Sequence, residues 1–240
     1  MARQQQARPP QLPPQRSVRR RFKHALYWVV RAVVRALGRP ILGLRIRGQE
    51  HVPPTGPVLL VANHLHNFDP IMISAAMTRP VLYMGKRELF KQPHIARFFR
   101  SLGAYPVARQ AIDRAALRHT VLLLDAGLVV GILPEGTRST SRALTAGQPG
   151  VALIAAQRRV PILPVAVTGT QHLPLDAKGT GERWFGRGVT ITIGKPFLLP
   201  ERQPGEKADL AANTRQIMLS IAELLPEEYQ GVYREAASGD

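Results

Sequence analysis

At 240 residues the chain can bury one sizeable core, and a hydrophobic share of 45% excludes disorder as its overall state. The absence of cysteine excludes disulfides, thiolate metal sites and any cysteinyl thioester intermediate. The formal charge of +17 is unevenly spread: twelve basic residues, from Arg3 to Arg47, precede the first acidic residue, Glu50, and the remainder carries only about +5. The excess is therefore an N-terminal arm, whose possible partners are anionic lipid or nucleic acid.

Residues 1–17, rich in Gln, Pro and Arg, form a tail that cannot bury a core. A helix is predicted from about Val18 to Leu37, stopped by Gly38 and Pro40, so that 18–40 forms one amphipathic segment. On a helical wheel Phe22, Leu26, Val29, Val30, Val33, Val34 and Leu37 gather on one side. Arg20, Arg21, His24, Arg31 and Arg35 gather on the other, with Tyr27 and Trp28 at the boundary. This describes a helix lying in a membrane interface, although a helix packed on the main domain with a solvated basic face would read the same way. The cations accompany an apolar face rather than a nucleic-acid module, which favours lipid and argues against nucleic acid as a partner. No run of about 20 apolar residues marks a membrane span, and no secretory signal is evident. The expected location is the cytoplasmic face of the cell membrane, peripheral or monotopic.

From residue 41 the pattern alternates. Strands are expected at 41–47, 57–62, 80–84, 104–107, 128–133, 160–167 and 188–194, and helices at 69–77, 93–101, 110–126, 150–158 and 207–225. Such alternation predicts a single α/β domain over 41–230, with a central mostly parallel or mixed sheet flanked by helices. The glycine-rich stretch Lys178–Gly188 reads as a loop, and 231–240 as a flexible tail.

Four islands of chemistry fall at the ends of expected strands. Asn63-His64-Leu65-His66-Asn67-Phe68-Asp69-Pro70 comes directly after the apolar run Val58–Ala62. An imidazole held by a carboxylate is a general base with a fixed tautomer, and α/β folds place such groups at strand ends. A His and an Asp beside a helix start can also form no more than a cap. The second island is Gly103–Arg109, the third Leu133-Pro-Glu-Gly-Thr-Arg-Ser139, and the fourth Val160-Pro-Ile-Leu-Pro-Val165.

Taken in this order, the islands resemble the glycerolipid acyltransferase family, and more narrowly its 1-acyl-sn-glycerol-3-phosphate (lysophosphatidic acid) acyltransferases. The likeness rests on four residues between His64 and Asp69, on Arg109 closing the second block, and on Pro134–Ser139 matching Pro-Glu-Gly-Thr-Arg-Ser. Pro161 and Pro164 match the fourth block, and Met84–Phe90 matches a lysine-containing stretch. The resemblance covers roughly residues 41–225. It implies transfer of a fatty acyl group from acyl-CoA or acyl-ACP to the sn-2 hydroxyl of lysophosphatidate, with glycerol 3-phosphate, another lysophospholipid or an acyl-amino acid as alternative acceptors. His64 would be the general base and Asp69 its orienting partner. Arg138, Arg109 and Lys86 would grip the acceptor phosphate, and Glu135, Gly136 and Thr137 belong to the same substrate-binding block. No cofactor and no metal are implied, and acyl carrier protein is a further possible partner. His66 departs from a serine common at that position, and Ala108 from an acidic residue before the arginine. The spacing to the aspartate favours His64 over His66.

Overall fold

A computed structural model describes residues 25–107, 113–174, 188–201 and 208–237. The basic tail, Arg109 and most of the glycine-rich stretch lie outside the described residues. The chain folds as one α/β domain around a seven-stranded sheet: β1 (Arg45–Arg47), β2 (Val58–Ala62), β3 (Val81–Lys86), β4 (Ala104–Val107), β5 (Val129–Ile132), β6 (Ile162–Thr168) and β7 (Thr190–Ile193). Their spatial order is β1-β7-β6-β2-β5-β3-β4. Every pairing is parallel except β6 with β7. Each strand falls within the segment expected from its apolar run or within two residues of it.

The central strand β2 is buried at all five positions because both faces of the sheet are covered. Its side chains alternate with the period of two that a pleated strand imposes. Leu59 and Val61 enter one core cluster, and Val58, Leu60 and Ala62 the other. The first cluster is sealed by α4 (Arg114–Asp125), α5 (Gly150–Gln157) and α6 (Leu210–Ala222). The second is sealed by α1 (Ala25–Leu42) and α2 (Asp69–Ala76). The short α3 (Pro93–Ser101) links β3 to β4. Pro164 lies inside β6, not at a sheet edge. The pairing of β7 with β6 begins only at Val165, opposite Ile193, so a proline there interrupts no ladder on that side.

Two ends differ from expectation. The first helix runs through Gly38 and Pro40 to Leu42 and stops at Gly43, whose left-handed backbone (φ 59°) lets its N–H reach the Arg39 carbonyl at 3.1 Å. Gly38 is needed for another reason: a Cβ there would lie 2.8 Å from Leu44 Cδ2. At the other end, residues 231–237 form a 3-10 turn and the one-turn helix α7 (Arg234–Ala237). Tyr233 packs against the first cluster, and its hydroxyl accepts from the Gly147 N–H at 3.3 Å.

The direction in which α1 faces is the larger difference. Tyr27 and Gly38 are buried, and the Tyr27 hydroxyl accepts from the Val81 N–H at 3.3 Å. Arg31 donates to the Met77 carbonyl at 2.6 Å and Arg35 to the Ala75 carbonyl at 3.5 Å, while Gln49 donates to Ala76. These cations cap the carbonyl end of α2, where a helix carries partial negative charge. The stripe Leu26, Val29, Val33, Leu37, with Trp28 beside it, faces outward at 39–55% exposure. The part of the basic face that the structure describes thus turns toward the domain, and the apolar stripe turns away.

Candidate active site

The five strands β2 to β6 run the same way, so their C-terminal ends share one edge of the sheet. β2 and β5 are neighbours there, with Val61 opposite Ile132. The chain leaving β2 enters α2 on one face, and the chain leaving β5 enters α5 on the other. The helices that follow thus part to opposite faces, which makes this the switch point of the sheet, where open α/β folds form the crevice that binds ligands. His64 stands on one side of it and Pro134–Ser139 on the other.

Asn63 anchors the first loop. Its side chain donates to the Val167 carbonyl and accepts from the Val167 N–H, both at 2.8 Å, so an amide replaces a rung of backbone pairing as β2 leaves the sheet. The next turn is organised around Asp69, the first residue of α2, with Pro70 following it in the first turn. Asp69 Oδ2 accepts from His64 Nδ1 at 2.9 Å and from the N–H groups of Leu65 and His66 at 2.7 Å each. Asp69 is wholly buried, and the His64 side chain keeps 8% of its surface exposed. Asp69 caps no helix N–H: the residue at the cap position is Phe68, and the donors Leu65 and His66 precede the helix, so one oxygen closes the loop and receives the imidazole Nδ1–H. This leaves Nε2 as the lone-pair nitrogen, and it has no protein partner among the described residues.

His66 is differently placed. It is 1% exposed, its Nδ1 accepts from the Phe68 N–H at 3.2 Å, and its ring lies against that of Phe68. Its backbone N–H donates to Asp69 at 2.7 Å.

The third block folds back on the first. The Ser139 N–H donates to the His64 carbonyl at 2.8 Å, and the Gln148 N–H donates to the Pro134 carbonyl at 2.8 Å. Glu135, 4% exposed, accepts the His64 N–H on Oε1 at 2.8 Å. Its Oε2 accepts the Thr145 N–H at 3.0 Å and the Thr145 hydroxyl at 2.8 Å. Burial lifts the Glu135 carboxyl above the ordinary carboxylate range, opposed by these hydrogen bonds and by nearby His64. Both of its oxygens are taken by protein donors, so it braces the two loops. Gly136 (φ 70°) and Thr137 are exposed beyond it, and Arg138 is half-buried. Lys86 ends β3, one strand beyond β5, with its side chain 51% exposed and 3.9 Å from Glu88. Arg109 follows the last residue of β4 by two positions in sequence and lies outside the described residues. Among the described residues no group of three or more His, Cys, Asp or Glu side chains could hold a metal ion.

Sequence reasoning missed the bracing role of Glu135 and its partner Thr145. The motif spacing was no guide, because Thr145 is ten positions downstream in a loop whose return path only the fold defines. Asn63 was visible beside the histidine, but not its clamp on β6.

A histidine and aspartate so held, facing a Pro-Glu-Gly-Thr-Arg-Ser turn across the switch point, define an acyltransferase-like site. The chain belongs to the acyltransferase family, whose sequence profile matches residues 43–168. It is an enzyme of that family, and its relatives narrow the likeness. A 1-acyl-sn-glycerol-3-phosphate acyltransferase of Bacillus subtilis (strain 168) is 26% identical over 76% of this chain and 88% of its own length. Another, of Escherichia coli (strain K12), is 27% identical over 82% of this chain and 80% of its own. The crystal structure of the 1-acyl-sn-glycerophosphate (LPA) acyltransferase PlsC from Thermotoga maritima shares the fold. It has a TM-score of 0.64 and 24% identity, with 89% of this chain and 83% of that one covered.

Proposed function

We propose that the protein transfers a fatty acyl group from an acyl thioester, acyl-CoA or acyl-ACP, to the sn-2 hydroxyl of lysophosphatidate, yielding phosphatidate for phospholipid synthesis. The observation that carries the chemistry is the 2.9 Å contact between His64 Nδ1 and the buried Asp69 carboxylate at the crevice. With Nδ1 committed to Asp69, Nε2 of His64 takes the proton of the acceptor hydroxyl. The oxygen attacks the thioester carbonyl, the C–S bond breaks, and the leaving thiolate recovers the proton from the imidazolium. Asp69 holds the tautomer and stabilises the imidazolium charge as it forms. No side chain of the protein becomes acylated, in keeping with the absence of cysteine.

The acceptor phosphate falls to Arg138, Lys86 and Arg109, with guanidinium forks suited to bidentate contact. Exposed Gly136 and Thr137 offer backbone and hydroxyl donors directly before Arg138. Glu135 acts here as a positioning residue through the His64 N–H. The exposed apolar stripe of α1 lies in the cytoplasmic leaflet of the cell membrane, with the basic tail preceding it on anionic headgroups. This differs from a basic face turned to lipid, because Arg31 and Arg35 are engaged by α2.

Purified protein given acyl-CoA and a panel of acceptors tests the substrate assignment. Lysophosphatidate is expected to lead, and failure with every phosphorylated acceptor would sink the reading. Turnover should vanish in His64→Ala and fall less in His66→Ala; the reverse order would move the base to His66.

A further inference from the structure

We infer that the 3-10 turn Arg87–Phe90 and helix α3 form a second membrane-docking surface, one that takes anionic phospholipid headgroups. The inference rests on the membrane reading of α1 above. Between Lys86 and Arg100 the sequence carries Lys86, Arg87, Lys91, Arg97 and Arg100, with Glu88 as the one carboxylate. All five of these cations are exposed, and so are Leu89 at 39% and Phe98 at 43%. Lys91 and Arg97 make no ion pair among the described residues. Arg100 instead stacks on Phe90, 5.6 Å from the ring centroid, and Phe98 and Phe99 meet edge to face at 5.5 Å. Cations interleaved with solvent-exposed aromatic and aliphatic side chains on a short helix have the composition of an interfacial element.

Its placement selects lipid over an acidic protein. On β3 the side chains of Val81 and Tyr83 enter the cluster that α1 and α2 cover. Gly85, two residues on, points to the same face, and a Cβ there would meet the Phe90 ring at 3.0 Å. The 3-10 turn therefore covers the face of the sheet that also carries α1 and its exposed apolar stripe. A flat anionic surface can meet both at once, whereas a small acidic partner on α3 would leave the α1 stripe in water. The patch also begins at Lys86, on the edge that holds the crevice, so headgroups attracted to α3 are delivered beside the phosphate grip.

The cysteine-free chain allows a direct test in the full-length protein. Single cysteines at Phe98→Cys, Val29→Cys and, as a control on the other face, the 40% exposed Leu122→Cys carry a polarity-sensitive fluorophore. With phosphatidylglycerol–phosphatidylcholine vesicles, the labels at 98 and 29 are expected to shift to the blue, and the label at 122 to stay unchanged. The pair Lys91→Glu and Arg97→Glu should weaken sedimentation with these vesicles by on the order of tenfold, while turnover of detergent-dispersed substrate persists. A shift at 29 without one at 98, or undiminished sedimentation of the double variant, overturns the inference and leaves the α1 reading standing. No shift at either position and no sedimentation overturn both. A label at 98 that answers to acyl carrier protein but not to vesicles overturns it in favour of a protein partner.

Discussion

The two sides of the crevice are built on opposite principles. On the β2 side the groups that hold the histidine have fixed partners: Asn63 is clamped to Val167, and Asp69 gathers His64 Nδ1 and two backbone N–H groups on one oxygen. On the cation side Lys86 is half in water and the Gly136-Thr137 turn is exposed. Proton transfer demands a lone pair aimed to within a fraction of an ångström, so rigidity is worth its entropy there. Phosphate capture needs positive potential and adjustable donors, and side chains that settle on binding suffice. Substitutions on the two sides should therefore fail in different ways.

The most damaging test of the rigid side is Asp69→Asn. The asparagine can still accept the Leu65 and His66 N–H groups through its oxygen, but it no longer favours Nδ1–H on His64 as a carboxylate does. A loss in kcat of about 10^3–10^4-fold is expected, at nearly unchanged KM for the acceptor. A loss under about tenfold would reduce Asp69 to a brace of the loop Leu65–His66. On the cation side, Arg138→Ala should raise the acceptor KM and lower kcat/KM by roughly 10–10^2-fold, the worth of one or two charge-assisted hydrogen bonds. Its defect should be absent with an uncharged acceptor analogue and smaller at high salt. A pure kcat effect would instead place Arg138 with the rigid side.

Glu135→Gln probes the seam between the sides. The amide offers one acceptor oxygen where the carboxylate offers two, so either the His64 or the Thr145 N–H must face an NH2 group. The cost to stability is about 1–3 kcal/mol by the price of an unsatisfied buried donor. Denaturant midpoints should register it, and kcat should fall with it because the His64 backbone shifts. A stable variant with raised acceptor KM would return Glu135 to substrate contact.

How much of this was legible in the sequence follows the same division. All seven strands were visible because β2, β5 and β6 are unbroken apolar runs, the mark of strands covered on both faces. The strand order was not visible, since pairing of β2 with β5 joins segments some 70 residues apart. The His64–Asp69 spacing was legible because both residues belong to one local turn. The Glu135 brace was not, because its donors lie 71 and 10 positions away. For α1 the wheel grouped Leu26, Val29, Val33 and Leu37, which are exposed together. It also put Val34 on that face and Tyr27 at the boundary, and both pack inward; nor could it say which face met the domain. Apolar faces usually turn inward, yet the carbonyl end of α2 offered Arg31 and Arg35 partners that no helical period encodes.

That reversal invites the mildest perturbation. Arg31→Met keeps most of the side-chain bulk and removes the donor to the Met77 carbonyl, while Arg35 and Gln49 still cap the neighbouring carbonyls. Loss of one partly exposed charged hydrogen bond should cost about 0.5–1.5 kcal/mol, or a few degrees in Tm. Turnover of dispersed substrate should be unaffected, because α1 meets α2 at the end opposite Asp69. If α1 instead presented its arginines to lipid, Tm would not move and vesicle binding would fall. A drop in Tm with vesicle binding intact is the outcome that an inward-facing Arg31 and an outward apolar stripe require.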